Sequence, residues 1–284
     1  MKLSKIFALL LALCLISSAA CAATFTDAHG NVIELDDSLE AYAAVTLVGA
    51  DNAARQGETN LGDLWADALR WFAVSGEINA AFDEDDVKAG NDRIAVDAEH
   101  VVALWNGGNL RADIAEGTFG AEALAEVLPF PNKVAVVYMT GAQLLETLEA
   151  ASQGLPYTAE TADACASLMQ VSGLTYTVDT AKAYDALEAY GDHWFTAGSV
   201  SRVRIDDVNG QPFDAEATYA VVTSNANFNG MDSSYVLKAA AEANEQSAVT
   251  TAVVRDVVFR FIASELNNQI GEAYAAPQGR LTVL

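Results

Sequence analysis

A chain of 284 residues, 52% of them hydrophobic, can bury a sizeable core as one large domain or two small ones. Its formal net charge of −24 repels nucleic acid and anionic membrane surfaces at long range, so neither is expected as a partner. The charge does not exclude a small phosphorylated ligand, because a few converging arginines set the potential inside a pocket.

The first residues read as a leader outside the fold. Lys2 and Lys5 form a short basic region, and Ile6 to Ile16 is an apolar run too short to span a bilayer comfortably. Ala20-Cys21-Ala22 fits a signal-peptidase site, so residues 1–22 are expected to be a secretory signal peptide and 23–284 a single mature domain. Export to the periplasm, the cell surface or the medium follows. Two alternatives stay open: an uncleaved membrane anchor, and a lipoprotein bearing lipid on Cys21, against which Ser18 stands where an aliphatic residue is usual. No later segment has the length and apolarity of a transmembrane helix. Of the three cysteines, Cys14, Cys21 and Cys165, processing leaves Cys165 as a single small, inert thiol without a disulfide partner. The acidic run Asp83-Glu84-Asp85-Asp86 reads as a solvated surface.

In chain order, Phe25 to Asp36 reads as a hairpin turning at His29-Gly30-Asn31, and Ala43 to Val48 as a strand. Leu61, Leu64, Trp65, Ala68, Leu69 and Phe72 recur at helical spacing and predict a helix over 61–74, N-capped by Asn60. His100 to Trp105 is a buried strand ended by Asn106-Gly107-Gly108, a turn expected to need positive φ. Ala121 to Leu128 is a short helix stopped by Pro129, and Val134 to Met139 a strand. Thr140 with Gln143 forms a capping box for a helix that buries Leu144, Leu145 and Leu148. Strands follow at 168–178 and 200–206. Val208-Asn209-Gly210-Gln211 signals a hairpin whose return strand is Thr218 to Thr223. A long helix is predicted from Thr251 to Ile270, and a closing strand from Arg280 to Val283. Helices and strands mix without strict βαβ alternation, which predicts an α+β fold of mixed β-sheets covered by helices.

Four segments spanning 55–235 carry a resemblance when taken in order. Arg55-Gln56-Gly57-Glu58-Thr59-Asn60-Leu61-Gly62-Asp63-Leu64-Trp65-Ala66-Asp67-Ala68 is close to R-x-x-E-T-x-L-G-N-L-x-A-D-A. Asn106-Gly107-Gly108-Asn109-Leu110-Arg111, with Ile114 and Gly117, is similar to N-G-G-x-I-R-x-x-I-x-x-G. Pro129-Phe130-Pro131-Asn132 and Thr140-Gly141-Ala142-Gln143-Leu144 look like P-F-G-N and T-G-x-x-L. Tyr219 to Asn225, with Asp232 and Tyr235, is a looser match to Y-x-V-x-T-N and G-G-D-G-Y. The chain therefore resembles the substrate-binding C-terminal domain of the 5′-nucleotidase/UDP-sugar hydrolase family.

The resemblance implies a site for the nucleoside end of a nucleotide. Arg55 and Arg111 would face phosphate, ribose or the carboxylates lining the domain. Phe130 would stack on the base, Asn132 would hydrogen-bond to a base nitrogen, and Asp232 would hold the ribose hydroxyls. Asn106, Gly107, Gly108 and Phe228 complete the substrate-binding set that the resemblance implies. The family stacks the base between two aromatics, but the second falls on Ala226 here, and Phe228 replaces it only with a shifted loop. Met231 and Ser233 stand where the family has glycines, Pro131 removes a backbone donor, and Asp51 stands where some members carry a further arginine.

Each residue also has a plainer reading. Asn106-Gly107-Gly108 serves equally as a tight strand exit, Phe130 as a core plug, Arg55 as an ion-pair partner of Glu58, and Asn132 as a turn cap. Glu58 and Asp67 are expected to be structural, and His193-Trp194-Phe195 is an aromatic loop cluster to which the resemblance assigns no role.

The family's catalytic domain holds two divalent metals through Asp-x-His, Gly-Asn-His and Gly-His-x-His clusters. His29, His100 and His193 lack those neighbours, Asp27-Ala28-His29 has no partner ligands, and the stretch from Ala23 to Arg55 is too short for that domain. No metal or other cofactor and no catalytic residue are therefore expected in this chain. Three functions stay open: an exported nucleoside- or nucleotide-binding module, an accessory subunit of a hydrolase working with a separate metallophosphoesterase, and a degenerate structural or adhesion module.

Overall fold

The computed structural model describes residues 23–26, 32–35, 40–82 and 94–284. The predicted leader, the turn at 29–31 and the acidic run at 83–86 lie outside them. β1 (Ala23–Thr26) and β2 (Val32–Leu35) pair antiparallel, as the predicted hairpin requires. β3 (Ala41–Ala43) pairs with β5 (Gly117–Phe119) and meets the strand predicted over Ala43 to Val48 only at Ala43; the rest of that stretch is irregular apart from a bridge between Leu47 and Ile114.

The central sheet is built from β4 (Val101–Asn106), β6 (Lys133–Thr140), β7 (Met169–Ser172), β12 (Thr218–Ser224) and β13 (Ala248–Val253), in the spatial order β13-β6-β12-β4-β7. Successive side chains leave a strand on opposite faces. Val101, Ala103 and Trp105 enter one core, while Val102 and Leu104 enter the other. β6 and β12 alternate likewise, through Val136 against Val137 and Val222 against Val221. Burial on both faces is why these segments read as continuous apolar runs.

The first face is covered by α2 (Asn60–Val74) and α7 (Val254–Ser264), which pack on each other. Trp65 of α2 and Trp105 of β4 are wholly buried, their rings 6.3 Å apart. The predicted short helix forms as α3 (Ala121–Val127) and packs on α7. The second face meets α4 (Gly141–Ala151), α6 (Tyr235–Ala243) and a three-stranded sheet. That sheet comprises β8 (Leu174–Val178), β11 (Val203–Val208) and β15 (Leu281–Val283), with β8 in the middle. The fold is thus α+β with mixed sheets covered by helices. The capping box of α4 is present in full, and Leu144 and Leu148 are buried, with Leu145 partly so.

Several local expectations are corrected. Thr59, not Asn60, caps α2: its hydroxyl accepts from the Gly62 N–H at 3.0 Å. Asn60 is instead buried as a tie, accepting from Val48 N–H and donating to the carbonyls of Thr46 and Tyr274. Gly107 and Gly108 do not take positive φ. Their missing Cβ atoms let Ala54 and Ala166 approach; a Cβ on Gly108 would lie 2.7 Å from that of Ala166.

The strand predicted over 168–178 divides at Gly173, at φ +80°. Asn209 and Gly210 make the predicted tight turn, with φ of 52° and 74°, and Val208 bridges Gln211. β12 nevertheless does not return beside β11. Pro212 follows at once, cannot donate to a ladder, and the chain crosses to the central sheet. The helix predicted over 251–270 is shorter at both ends. Thr250 to Val253 extend β13 along β6, and Asn267 and Asn268, both left-handed, turn the chain into β14 (Gln269–Ile270), which pairs with β3.

Candidate functional site

β4 and β12 run parallel, while β6 runs antiparallel to β12 and β7 antiparallel to β4. The C-terminal ends of β4 and β12 and the N-terminal ends of β6 and β7 therefore share one edge of the sheet. Their loops enclose a cavity of about 710 Å³, within the usual range for small-molecule sites. The loop after β4 contributes Asn106, Gly108, Asn109 and Arg111, and the segment before β6 contributes Phe130, Pro131 and Asn132. Ala166 comes from the turn before β7, and the loop after β12 supplies Asn225, Ala226 and residues 229–232.

The polar groups of the cavity are ordered by one chain of hydrogen bonds. Asn109 Nδ2 donates to Asn106 Oδ1 at 2.8 Å, and Asn106 Nδ2 donates to Asp232 Oδ2 at 2.8 Å. Both asparagines are buried, so the Asp232 carboxylate has a fixed orientation. Asp232 itself sits at φ 56°, a region sparsely used by residues other than glycine. Burial raises its carboxyl above the usual range, opposed by the Arg55 charge, the Asn106 hydrogen bond and Arg111. The Arg111 guanidinium lies over the Phe130 ring, 5.9 Å from its centroid, a cation–π arrangement. Partial desolvation and the Arg55 charge lower the Arg111 pKa, and Asp232 offsets them. The cavity thus offers a cation, an anion, side-chain amides and an aromatic face within a strongly acidic protein.

Six of the nine residues singled out from sequence line this cavity: Asn106, Gly108, Arg111, Phe130, Asn132 and Asp232. Arg55, on α1 (Ala53–Gln56), is not among the residues that line it. Its Nη1 donates to Ala162 O at 2.9 Å and lies 4.0 Å from Asp163, although its charge still acts on Asp232 and Arg111. It does not pair with Glu58. That carboxylate accepts from the backbone N–H groups of Gln278, Arg280 and Leu281, which is structural work, as is the Asp67 pairing with Arg280. Gly107 lies beneath the floor against Ala54. Phe228 turns away and packs against the second core, so it does not substitute for the missing second aromatic, and Ala226 lines the wall instead. Asn132 does more than cap a turn: it is buried at the cavity and its carbonyl accepts from Val254 N–H.

Sequence reasoning missed Asn109, Asn225, Asn229, Ala166 and Gln170. Gln170 Nε2 donates to the carbonyls of Ala54 and Gly57 and its Oε1 accepts from Thr59 N–H, which fixes the Arg55 segment from the neighbouring strand. No sequence signal marks it. Cys165 is buried beside this wall, and burial pushes its thiol pKa up.

The family description "5′-nucleotidase, C-terminal domain" matches residues 40–239, which include all of these loops. The chain belongs to that family. The trifunctional nucleotide phosphoesterase protein YfkN of Bacillus subtilis (strain 168) is 28% identical over 188 residues, 65% of this chain and 10% of that protein. Among solved structures, the 5′-nucleotidase precursor from Thermus thermophilus is 29% identical, with a TM-score of 0.61 over 86% of this chain and 39% of its own. The NAD nucleotidase NadN of Haemophilus influenzae, at 16% identity and a TM-score of 0.57, shares the fold over 86% of this chain and 38% of its own. The chain therefore spans a tenth of the curated relative and about two fifths of these solved 5′-nucleotidase-family chains.

Among the described residues, no three His, Cys, Asp or Glu side chains gather where they could hold a metal ion. No helix among them is long and apolar enough to cross a membrane.

Proposed function

We propose that the cavity at the edge of the central sheet binds a nucleoside or nucleotide. One observation carries this reading: an aromatic face, a guanidinium, a side-chain amide and an oriented carboxylate, from Phe130, Arg111, Asn132 and Asp232, line one cavity of nucleoside size. Phe130 would take the base, worth roughly 1–3 kcal/mol of stacking. Asn132 would read a ring nitrogen, Asp232 would accept from the ribose hydroxyls, and Arg111 would meet the phosphate or another anionic group. With Ala226 where a second aromatic would close a sandwich, the base rests on a single platform, and discrimination between bases falls to Asn132. Isothermal titration of the purified chain with adenosine and then AMP tests this. Saturable binding, weakened at least about fivefold by Phe130→Ala, is expected. Absence of heat from a folded sample, or equal affinity in the variant, overturns it.

A second reading takes the chain as the substrate-binding half of a hydrolase completed by a separate metallophosphoesterase. It rests on the match of residues 40–239 to the 5′-nucleotidase C-terminal domain. A metallophosphoesterase recovered with the protein from its native source, conferring AMP hydrolysis, supports it; a solitary protein inert with divalent metals and AMP counts against it. Export is part of the proposal and rests on the leader-like residues 1–22. The mass of the protein recovered outside the cytoplasm tests it, and also separates cleavage before Ala23 from lipidation at Cys21.

A further inference from the structure

The aromatic cluster at 193–195 lies in a hairpin of β9 (Ala186–Tyr190) and β10 (Trp194–Ala197) that, among the described residues, pairs with no other strand. Its side chains are mostly exposed, Leu187 by 68%, so burial does little to hold it. Side-chain tethers hold it instead, and they fall on two rims of the cavity. Tyr190 Oη donates to the carbonyl of Gly230 at 2.7 Å. Trp194 Nε1 donates to the carbonyl of Ala164 at 3.3 Å, in the turn that carries Ala166. The base of the hairpin is anchored as well: Ala197 N–H donates to Tyr235 Oη, whose own proton goes to Glu146, and the Tyr190 and Tyr235 rings lie 5.6 Å apart.

Gly230 is two residues before Asp232 and takes φ +87°, and a Cβ there would meet the Tyr190 hydroxyl. Asp232 holds its own left-handed conformation between two fixed points, Gly230 on one side and the start of α6 at Tyr235 on the other. The hairpin grips both. A non-glycine residue in that conformation persists only when its surroundings over-determine it.

We propose that the β9–β10 hairpin is a clasp across the cavity, and that Tyr190 is a positioning residue that sets, through Gly230, where Asp232 meets the ligand's vicinal hydroxyls. The role deepens the nucleoside-binding reading and rests on it. Loosening Tyr190 costs recognition of the sugar hydroxyls and leaves stacking on Phe130 intact, because Phe130 belongs to the segment before β6, which the hairpin does not touch through Tyr190.

The test uses Tyr190→Phe in the full chain, with adenosine and 2′,3′-dideoxyadenosine as ligands and amide hydrogen exchange over 225–234 without ligand. Expected are an adenosine affinity about fivefold weaker, the value of one hydrogen bond, an unchanged dideoxyadenosine affinity, and faster exchange confined to 229–232. Trp194→Phe removes the tether to the other rim and is expected to leave the ratio of the two affinities at its wild-type value. Parallel loss of both ligands, no change in either, or the same altered ratio in Trp194→Phe overturns the positioning role. Unchanged exchange in Tyr190→Phe overturns the tether itself, whatever the ligand does. If wild type binds neither nucleoside, the nucleoside reading fails and the selectivity role falls with it, while the exchange result still decides the tether.

Discussion

Asp63 couples the stability of this fold to pH. It lies in the first turn of α2, fully buried, with Oδ2 accepting from Gln278 N–H at 3.1 Å. The nearby cation is already committed, since Arg280 pairs with both oxygens of Asp67 at 2.8 Å and stands 3.8 Å from Asp63 Oδ1. Burial, the charge of Glu58 and a hydrogen bond with Glu58 push the Asp63 carboxyl up to about 8, with Arg280 and the Gln278 N–H opposing. In the unfolded chain the same group titrates near 4. Between those values the folded protein holds a proton that the unfolded chain has lost, so the stabilisation is complete below pH 4 and fades as pH rises through 8. At full difference the slope is about 1.4 kcal/mol per pH unit. Asp63→Asn supplies a neutral side chain of the same shape that still accepts from Gln278 and donates to Glu58. Moving from pH 5 to pH 7 should cost wild type about 1–3 kcal/mol more than the variant, a relative fall in melting temperature of several degrees at about 2–4 °C per kcal/mol. Thermal unfolding of both proteins from pH 5 to 8 measures this. General repulsion within an acidic protein acts on both alike, so only the difference counts. Parallel curves would refute the shared proton.

Three further substitutions test how the fold builds the site. Thr59→Ala should cost about 1 kcal/mol, the usual value of an N-cap, whereas Asn60→Ala, which breaks three hydrogen bonds of a buried side chain, should cost clearly more in denaturant unfolding; the reverse order would restore Asn60 as the cap. Gly108→Ala drives a methyl group against Ala166 and should destabilise by about 1–3 kcal/mol while weakening adenosine binding through the shifted wall; a melting temperature and affinity equal to wild type would show that the turn before β7 yields freely.

The parts of the fold legible in the sequence are those that bury a face. The central strands and the helix over 61–74 carry apolar patterns because two cores enforce them, and the capping box at Thr140 is a local device with a local signature. The errors fall where partners distant in sequence decide. Thr251 to Val253 read as helix, but they close β13 beside β6, with Val253 opposite Lys133. Val208 to Gln211 read as a hairpin to β12, and the turn is real, yet Pro212 ends the pairing and β12 finds β4 and β6 instead. The β9–β10 hairpin left only an aromatic cluster to notice, because strands exposed on both faces carry no alternation.

The candidate site divides along the same line. Arg111, Phe130, Asn132 and Asp232 were legible because they stand in the motifs that carry the family resemblance, and the fold gathers them in one cavity. Phe228 was misplaced because its neighbours in sequence favour the cavity, while α5 (Asn225–Phe228) is a single short turn whose last residue faces the second core. Asn109, Ala166 and Gln170 were invisible for the opposite reason. They act by supporting other residues: an amide that orients an amide, a methyl group that lets a glycine close, a glutamine that holds the carbonyls behind Arg55. Support of this kind is set by the register of β4 against β7 and β12, where a slip of one residue would move Asn106 to the other face. Tyr190 reaches Gly230 from outside the central sheet altogether. The geometry of Asp232 is therefore distributed over Asn106, Asn109, Gly230 and Tyr190, which hold it from the strand, the loop after it and the hairpin.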